Sequence, residues 1–201
     1  KSIQEITKPR SDGDKKYDTA TFYSISNCQE GLSRVTLGNF LIKRVVFEIQ
    51  EELPNIKHFG TLSPIPGFRD WFSYLEDVKI KNILGKIPLE NISFLKSTDL
   101  KVGDPRIVSN KEAITKLVAH YLMNEKNHKQ LPINDVCRFH LGNGAIIDDI
   151  VINANVSEVG LNRSFGVMVN YLYELKNIEK NHEEYINNKT IIISDKLKKI
   201  I

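Results

Sequence analysis

Thr61-Leu62-Ser63-Pro64-Ile65-Pro66-Gly67-Phe68 decides how the rest of the chain is read. It closes an apolar run, Ile56 to Leu62, that reads as a short buried strand. A hydroxyl, two prolines and a glycine come next. Proline has no N–H to give a sheet ladder, so the strand ends at Ser63. A side chain at the C-terminal end of a strand, held there by a stiff turn, is where α/β folds keep their chemistry. The same octapeptide also reads as a rigid strand-to-helix turn with no chemistry, because turn geometry alone explains Pro and Gly.

On the N-terminal side, Thr19 to Ser26 carries aromatic and β-branched residues on both faces and is expected to be a strand buried on both. A loop from Asn27 to Leu37 contains Gly31. Gly38 to Leu53 reads as a helix, with Ile42, Val46, Ile49 and Leu53 at helical spacing and Pro54 as its stop. Strand, loop, helix and strand make a βαβ unit, so the flanking strands are expected to be parallel. The helix is charged against its macrodipole, with Lys43 and Arg44 early and Glu51 and Glu52 late. A solvated face tolerates that order. A positive helix N-terminus behind a glycine loop also suits a phosphate.

Beyond Ser63, Phe68 to Val78 reads as a second helix facing the core through Trp71, Phe72, Leu75 and Val78. Ile80 to Val108 lacks a period and reads as an irregular excursion, over 79–110 with its flanks, holding short helical pieces. Ser109-Asn110-Lys111-Glu112 has the pattern of a capping box that opens a helix to Lys126. Its expected core side chains are Ile114, Leu117, Val118, Tyr121 and Leu122. Pro132 to Leu141 is expected to be a short helix capped near Asn134 or Asp135, with Asn143-Gly144 as the turn out. Ala145 to Asn153 and Phe165 to Leu175 are expected to be antiparallel strands. Asn177 to Asn187 reads as a helix, Thr190 to Ser194 as a short final strand, and Asp195 onward as a frayed helix.

At 201 residues the chain is long enough for one domain with a real core. A net charge of +3 with scattered lysines does not indicate a nucleic-acid partner. The two cysteines, Cys28 and Cys137, make neither metal-ligand spacing nor a disulfide framework, so a reduced compartment is expected. No stretch is apolar for long enough to span a bilayer. Lys1 to Lys16 has no apolar core of a signal peptide, and Lys198-Lys199-Ile200-Ile201 is not a peroxisomal address, so a cytoplasmic location is expected.

Several motifs in order carry a resemblance to a known family. They are Tyr23-Ser24-Ile25-Ser26-Asn27-Cys28-Gln29, Gly38-Asn39-Phe40-Leu41-Ile42-Lys43, Ser63-Pro64-Ile65-Pro66-Gly67-Phe68, Arg138-Phe139-His140-Leu141-Gly142-Asn143-Gly144-Ala145 and Met168-Val169-Asn170-Tyr171-Leu172-Tyr173. Together they resemble malonyl-CoA decarboxylases, over roughly Tyr17 to Tyr185. The resemblance implies a GNAT-like acyltransferase fold in which coenzyme A lies between two splayed parallel strands, and a single catalytic region over 1–201. It implies acyl-CoA contacts at Ser33, Arg34, Val35, Thr36, Leu37, Gly38 and Asn39. Arg34 stands where the family usually has glycine, and Thr36 where it has glutamate or serine. The Arg34 departure changes the loop geometry that glycine would allow, or adds a phosphate contact.

By the same resemblance His140 is the proton donor, and Ser63 beside it is the proton acceptor and hydrogen-bonding group. Read alone, a histidine between Phe139 and Leu141 is a satisfied core histidine before it is a catalytic one. Tyr171 is a candidate for positioning the thioester, against the alternative of a core tyrosine. His58, His120, His128 and His182 have no partner at informative spacing. No metal or organic cofactor is expected, and malonyl-CoA is the expected substrate.

Two other functions share these features. One is acyl transfer from coenzyme A to an amine, and the other is an inactive acyl-CoA-binding remnant or subunit. Relatives are longer and supply further strands upstream of the region matching Tyr17. Thr19 to Ser26 is therefore expected to be an open sheet edge that invites self-association or an upstream fragment.

Overall fold

A computed structural model describes residues 17–23, 38–97 and 99–201, with only the backbone of 38–41. The βαβ unit is present. β1 (Thr19–Phe22) runs parallel to β2 (His58–Thr61), with Thr19 opposite His58 and Phe22 opposite Thr61. Between them, α1 (Gly38–Glu52) buries Ile42 and Val46 and half-buries Ile49. Leu53 is 55% exposed, because it lies past the last helical residue and beyond the core. Arg44 pairs with Glu48 one turn on at 3.0 Å, on the solvated side of the helix.

The sheet has four strands in the order β1-β2-β4-β3. β3 (Ile146–Val151) and β4 (Met168–Tyr173) pair antiparallel, as their alternation suggests. β4 also pairs antiparallel with β2 through Phe59↔Tyr173 and Gly60↔Leu172. One sheet face is covered by helices; Phe59, Val169, Tyr171 and Tyr173 lie there with at most 1% exposure. The other face is open and forms a groove of about 410 Å³ lined by Thr19, Thr21, His58, Gly60, Asp148 and Asn170, among others. β1 is therefore not buried on both faces. Ala20 and Phe22 are half-buried against the core, Thr19 and Thr21 face the groove, and Tyr23 is 53% exposed. A register shift between Ile147 and Asp149 turns both Asp148 and Asp149 toward the open face.

The expected helix from Phe68 to Val78 is two helices. α2 (Phe68–Ser73) stops at Tyr74, Glu76 is extended, and α3 (Asp77–Leu84) restarts with Ile80 and Leu84 inward. The restart changes the buried face, so Val78 is 68% exposed. The excursion does hold short helical pieces, α4 (Glu90–Ser93), a 3₁₀ turn (Phe94–Lys96) and α5 (Pro105–Ser109). Ile92, Leu95, Leu100 and Ile107 anchor it in the core.

The capping box does not form. Ser109 is the last residue of α5, its hydroxyl donates back to the Pro105 carbonyl, and the Asn110 amide donates to Arg106. α6 (Lys111–Met123) nevertheless starts there, ends before Lys126, and buries every core side chain read from its periodicity. α7 (Asp135–Gly142) starts after Pro132, with Asn134 as its N-cap. The β3–β4 connection contains an unforeseen helix, α8 (Glu158–Ser164), capped by Ser157. α9 (Ile178–Asn188) is as read. Thr190 to Ser194 is not a strand; a lone bridge joins Ile193 to Ile147. α10 (Asp195–Lys198) is one turn, held by buried Leu197. Among the described residues no helix is long and apolar enough to cross a membrane.

Gly144 has φ +79°, and a Cβ on it would stand 2.1 Å from the Ile178 carbonyl oxygen. The chain leaving α7 thus passes directly under the start of α9. Gly144→Ala should lower unfolding stability by more than about 2 kcal/mol in urea titrations. A loss within about 0.5 kcal/mol would show that this approach is slack.

Candidate active site

Ser63 is fixed by its backbone on the sheet side. Its N–H donates to the Val169 carbonyl at 2.8 Å, and its carbonyl accepts from the Val169 N–H at 2.9 Å. Pro64 then ends the ladder, and Ile65 and Phe68 drive the turn into the core, each 0% exposed. The Pro66 carbonyl accepts from the Tyr121 hydroxyl at 3.0 Å and from the Asn134 amide at 2.9 Å. Gly67 completes the turn at φ +79°.

His140 comes from the last turn of α7. The Asn134 Oδ1 accepts from the Cys137 N–H at 2.8 Å and so sets the register of that helix. The His140 Nε2 lies 2.9 Å from the Ser63 Oγ, and its Nδ1 2.8 Å from the Tyr173 hydroxyl. The Ser63 hydroxyl also donates to the Thr61 Oγ1 at 2.9 Å. Tyr171 stacks on the imidazole, with ring centroids 4.4 Å apart, and Phe139 meets it edge-on. Ser63 and His140 are each 5% exposed.

Burial among aromatic rings pushes the His140 pKa down to about 3, so the free ring is neutral at neutral pH. Burial also pushes the Tyr173 and Tyr171 hydroxyls up, so both stay protonated. The Cys137 thiol, buried beside Tyr171, is pushed up to about 12 and is not a nucleophile.

The two residues placed at the centre by sequence, Ser63 and His140, are thus in hydrogen-bond contact. Tyr171 lies against the imidazole, fully buried. Gly38 and Asn39 open α1, with only their backbone described, and Ser33, Arg34, Val35, Thr36 and Leu37 lie outside the described residues. The groove on the open sheet face includes neither Ser63 nor His140. His58 lines that groove, and His182 donates to the Gly142 carbonyl. Thr61 and Tyr173 were missed, although each sits two residues from a named site residue on the same strand face. Among the described residues no cluster of His, Cys, Asp or Glu could hold a metal ion.

A family model for the malonyl-CoA decarboxylase C-terminal domain matches residues 1–201. The chain belongs to the malonyl-CoA decarboxylase family. It is 38% identical over 223 residues to malonyl-CoA decarboxylase, mitochondrial, from Rattus norvegicus, covering 100% of this chain and 45% of that protein. The corresponding protein of Anser anser anser is 36% identical, over 98% of this chain and 43% of its own length. The chain therefore spans about half the length of the curated relatives it matches. The crystal structure of malonyl-CoA decarboxylase from Rhodopseudomonas palustris superposes with TM-score 0.86 at 36% identity, covering 99% of this chain and 46% of that one. The Agrobacterium vitis structure gives 0.84 at 34% identity, over 99% of this chain and 49% of its own. The mixed sheet and its helices are thus those of malonyl-CoA decarboxylase structures.

The neutral state of His140 has a consequence for folding. Its folded pKa is depressed, so the unfolded chain binds more protons between pH 6.5 and about 3. The stability this group contributes is therefore full above pH 6.5 and lost as pH falls through that window, by up to about 1.4 kcal/mol per pH unit. Urea midpoints should fall from pH 6.5 to 5, above the range where most carboxylates titrate, and His140→Asn should flatten that fall. An unchanged slope in the variant would show that His140 titrates normally.

Proposed function

We propose that the chain decarboxylates malonyl-CoA to acetyl-CoA and CO₂, with Ser63 and His140 at the reacting centre. The observation that carries this is the buried Ser63–His140 hydrogen bond at the C-terminal end of a parallel strand pair, in a chain of this family. The parallel pair with α1 between its strands supports a GNAT-like arrangement, and the acyl-CoA contacts from Ser33 to Asn39 follow from the resemblance in sequence.

In this reaction the bond between the carboxylate carbon and the α-carbon breaks. Its electron pair passes into the thioester as an enolate, CO₂ leaves, and the α-carbon takes a proton. The thioester is itself the electron sink, so we assign no metal or organic cofactor. A malonyl carboxylate placed beside the neutral imidazole favours its protonated form, which no other charge among the described residues does. When that carboxylate leaves as CO₂, the proton is again unfavourable on the buried ring, and the enolate carbon accepts it. Ser63, in hydrogen-bond contact with Nε2, holds that acid at the reacting acyl group.

His140→Asn should lower turnover by about two to four orders of magnitude, the worth of a positioned general acid. Ser63→Ala should lower it by about two to three, with little change in binding of a non-reactive acyl-CoA. Mass spectrometry of the thioester pool with no amine present reads both and also separates decarboxylation from acyl transfer. Near-native turnover in folded His140→Asn would remove His140 from the mechanism.

Arg34 and Lys43 flank the start of α1 in sequence, and we assign them to the coenzyme A phosphates. Removing both charges should weaken acyl-CoA binding, most at low ionic strength, as titration calorimetry would show. Equal affinity at low salt would make them ordinary solvated charges.

A further inference from the structure

We propose that Thr61 is a positioning residue that decides which nitrogen of His140 carries the proton. The inference rests on the reading of His140 as proton donor given above. It begins with a gap in the sheet. The β2–β4 pairs stop at Gly60↔Leu172 and resume only at Ser63↔Val169. Across the gap the Tyr171 N–H donates to the Thr61 Oγ1, a side-chain oxygen, at 3.4 Å. Thr61 is 2% exposed and directed at Ser63, two residues on and on the same face.

Thr61 Oγ1, Ser63 Oγ, the His140 ring and the Tyr173 hydroxyl then form one string of hydrogen bonds at 2.9, 2.9 and 2.8 Å. A neutral imidazole donates from one nitrogen and accepts at the other. Ser63 gives its only hydrogen to Thr61, so it has none for Nε2. Nε2 must therefore be the donor to Ser63, and Nδ1 the acceptor from Tyr173. Acidity points the same way. A phenol is a far stronger donor than an aliphatic hydroxyl, so Tyr173 donates to Nδ1 in preference to receiving from it. The free ring is thus held as the Nε2–H tautomer, with its proton aimed at Ser63 and the reacting centre. Without the Thr61 oxygen, the Ser63 hydrogen turns to Nε2, and the proton moves to Nδ1, on the side away from Ser63.

Imidazole nitrogen NMR on the chain with ¹⁵N-labelled histidine tests this without substrate. His140→Asn identifies the His140 signals among those of the five histidines. Wild type should show Nε2 protonated and Nδ1 bare at neutral pH. Thr61→Val should move the ring toward the Nδ1–H form and lower kcat by about 10- to 100-fold, with KM within about threefold. Thr61→Ser keeps the oxygen and should restore both tautomer and kcat. An Nδ1–H ring in wild type would overturn the proposal with no variant needed. So would a Thr61→Val ring that keeps the wild-type pattern, or a Thr61→Ser chain as impaired as Thr61→Val. An Nε2–H ring that shifts in Thr61→Val, in a wild-type chain without turnover, would support the tautomer assignment and overturn the decarboxylation reading.

Discussion

One side-chain amide connects the two halves of the site. The Asn134 oxygen starts α7 by accepting the Cys137 N–H, and its nitrogen grips the Pro66 carbonyl three residues after Ser63. The residue is 2% exposed, so neither bond is exchanged with water. A helix turns by about 100° per residue, so a one-residue slip at its start would carry His140 off the face that meets Ser63. The Tyr121 hydroxyl shares the Pro66 carbonyl and lies 2.9 Å from where a Gly67 Cβ would be. Any side chain at 67 would push against the bond that supports the turn. Ser63 and His140 are 77 residues apart in sequence, yet their separation is set by these few contacts on buried, mutually braced elements.

The apolar setting does chemical as well as structural work. His140 is held in plane by Ser63 and Tyr173 and on its face by Tyr171. The Tyr171 hydroxyl faces the Cys137 thiol, a weak hydrogen-bonding group, so its ring matters more at this position than its oxygen. Three aromatic rings around one imidazole exclude the water that would otherwise solvate a charged form. Such a ring takes up a proton only when an anion arrives. On the decarboxylation proposed above, that coupling would link proton uptake to the malonyl carboxylate instead of leaving a cation buried at rest.

Much of this was legible in the sequence where periodicity and turn chemistry agree. Ser63 is marked by the end of an apolar run and two prolines, and the helix of His140 by Asn134 before it and Asn143-Gly144 after it. The βαβ unit followed from one well-patterned helix between two apolar runs. The failures have local causes. Phe68 to Val78 keeps a helical pattern across a break, because Glu76 can be extended without changing the composition. Ser109 has the residue type of a cap but ends a helix that runs straight into the next. β1 looked buried on both faces because strand propensity does not tell a groove from a core. Tyr173 and Thr61 became site residues only through tertiary distances, since a tyrosine and a threonine in strands have ample reason to be there without function.

The site is built from an irregular sheet, and the irregularity is confined. β2 and β4 are in register before and after the gap at Thr61, so the sheet is not strained elsewhere. What is given up is a regular backbone pairing at this rung, worth roughly 1 kcal/mol net. What takes its place is a side-chain oxygen that serves the Tyr171 N–H and the Ser63 hydroxyl at once. A regular rung would leave Thr61 an ordinary inward side chain and Ser63 free to donate to its histidine. On the other side of β2, the Leu62 N–H still reaches the Phe22 carbonyl at 3.2 Å, so the parallel pair holds up to the residue before Ser63. Ser63 is therefore pinned by Val169 on one side and by Pro64 in sequence, leaving its χ1 as the main freedom. The Thr61 oxygen and the His140 nitrogen that bracket its hydroxyl then fix that freedom as well, and this is how a turn residue becomes a preorganised one.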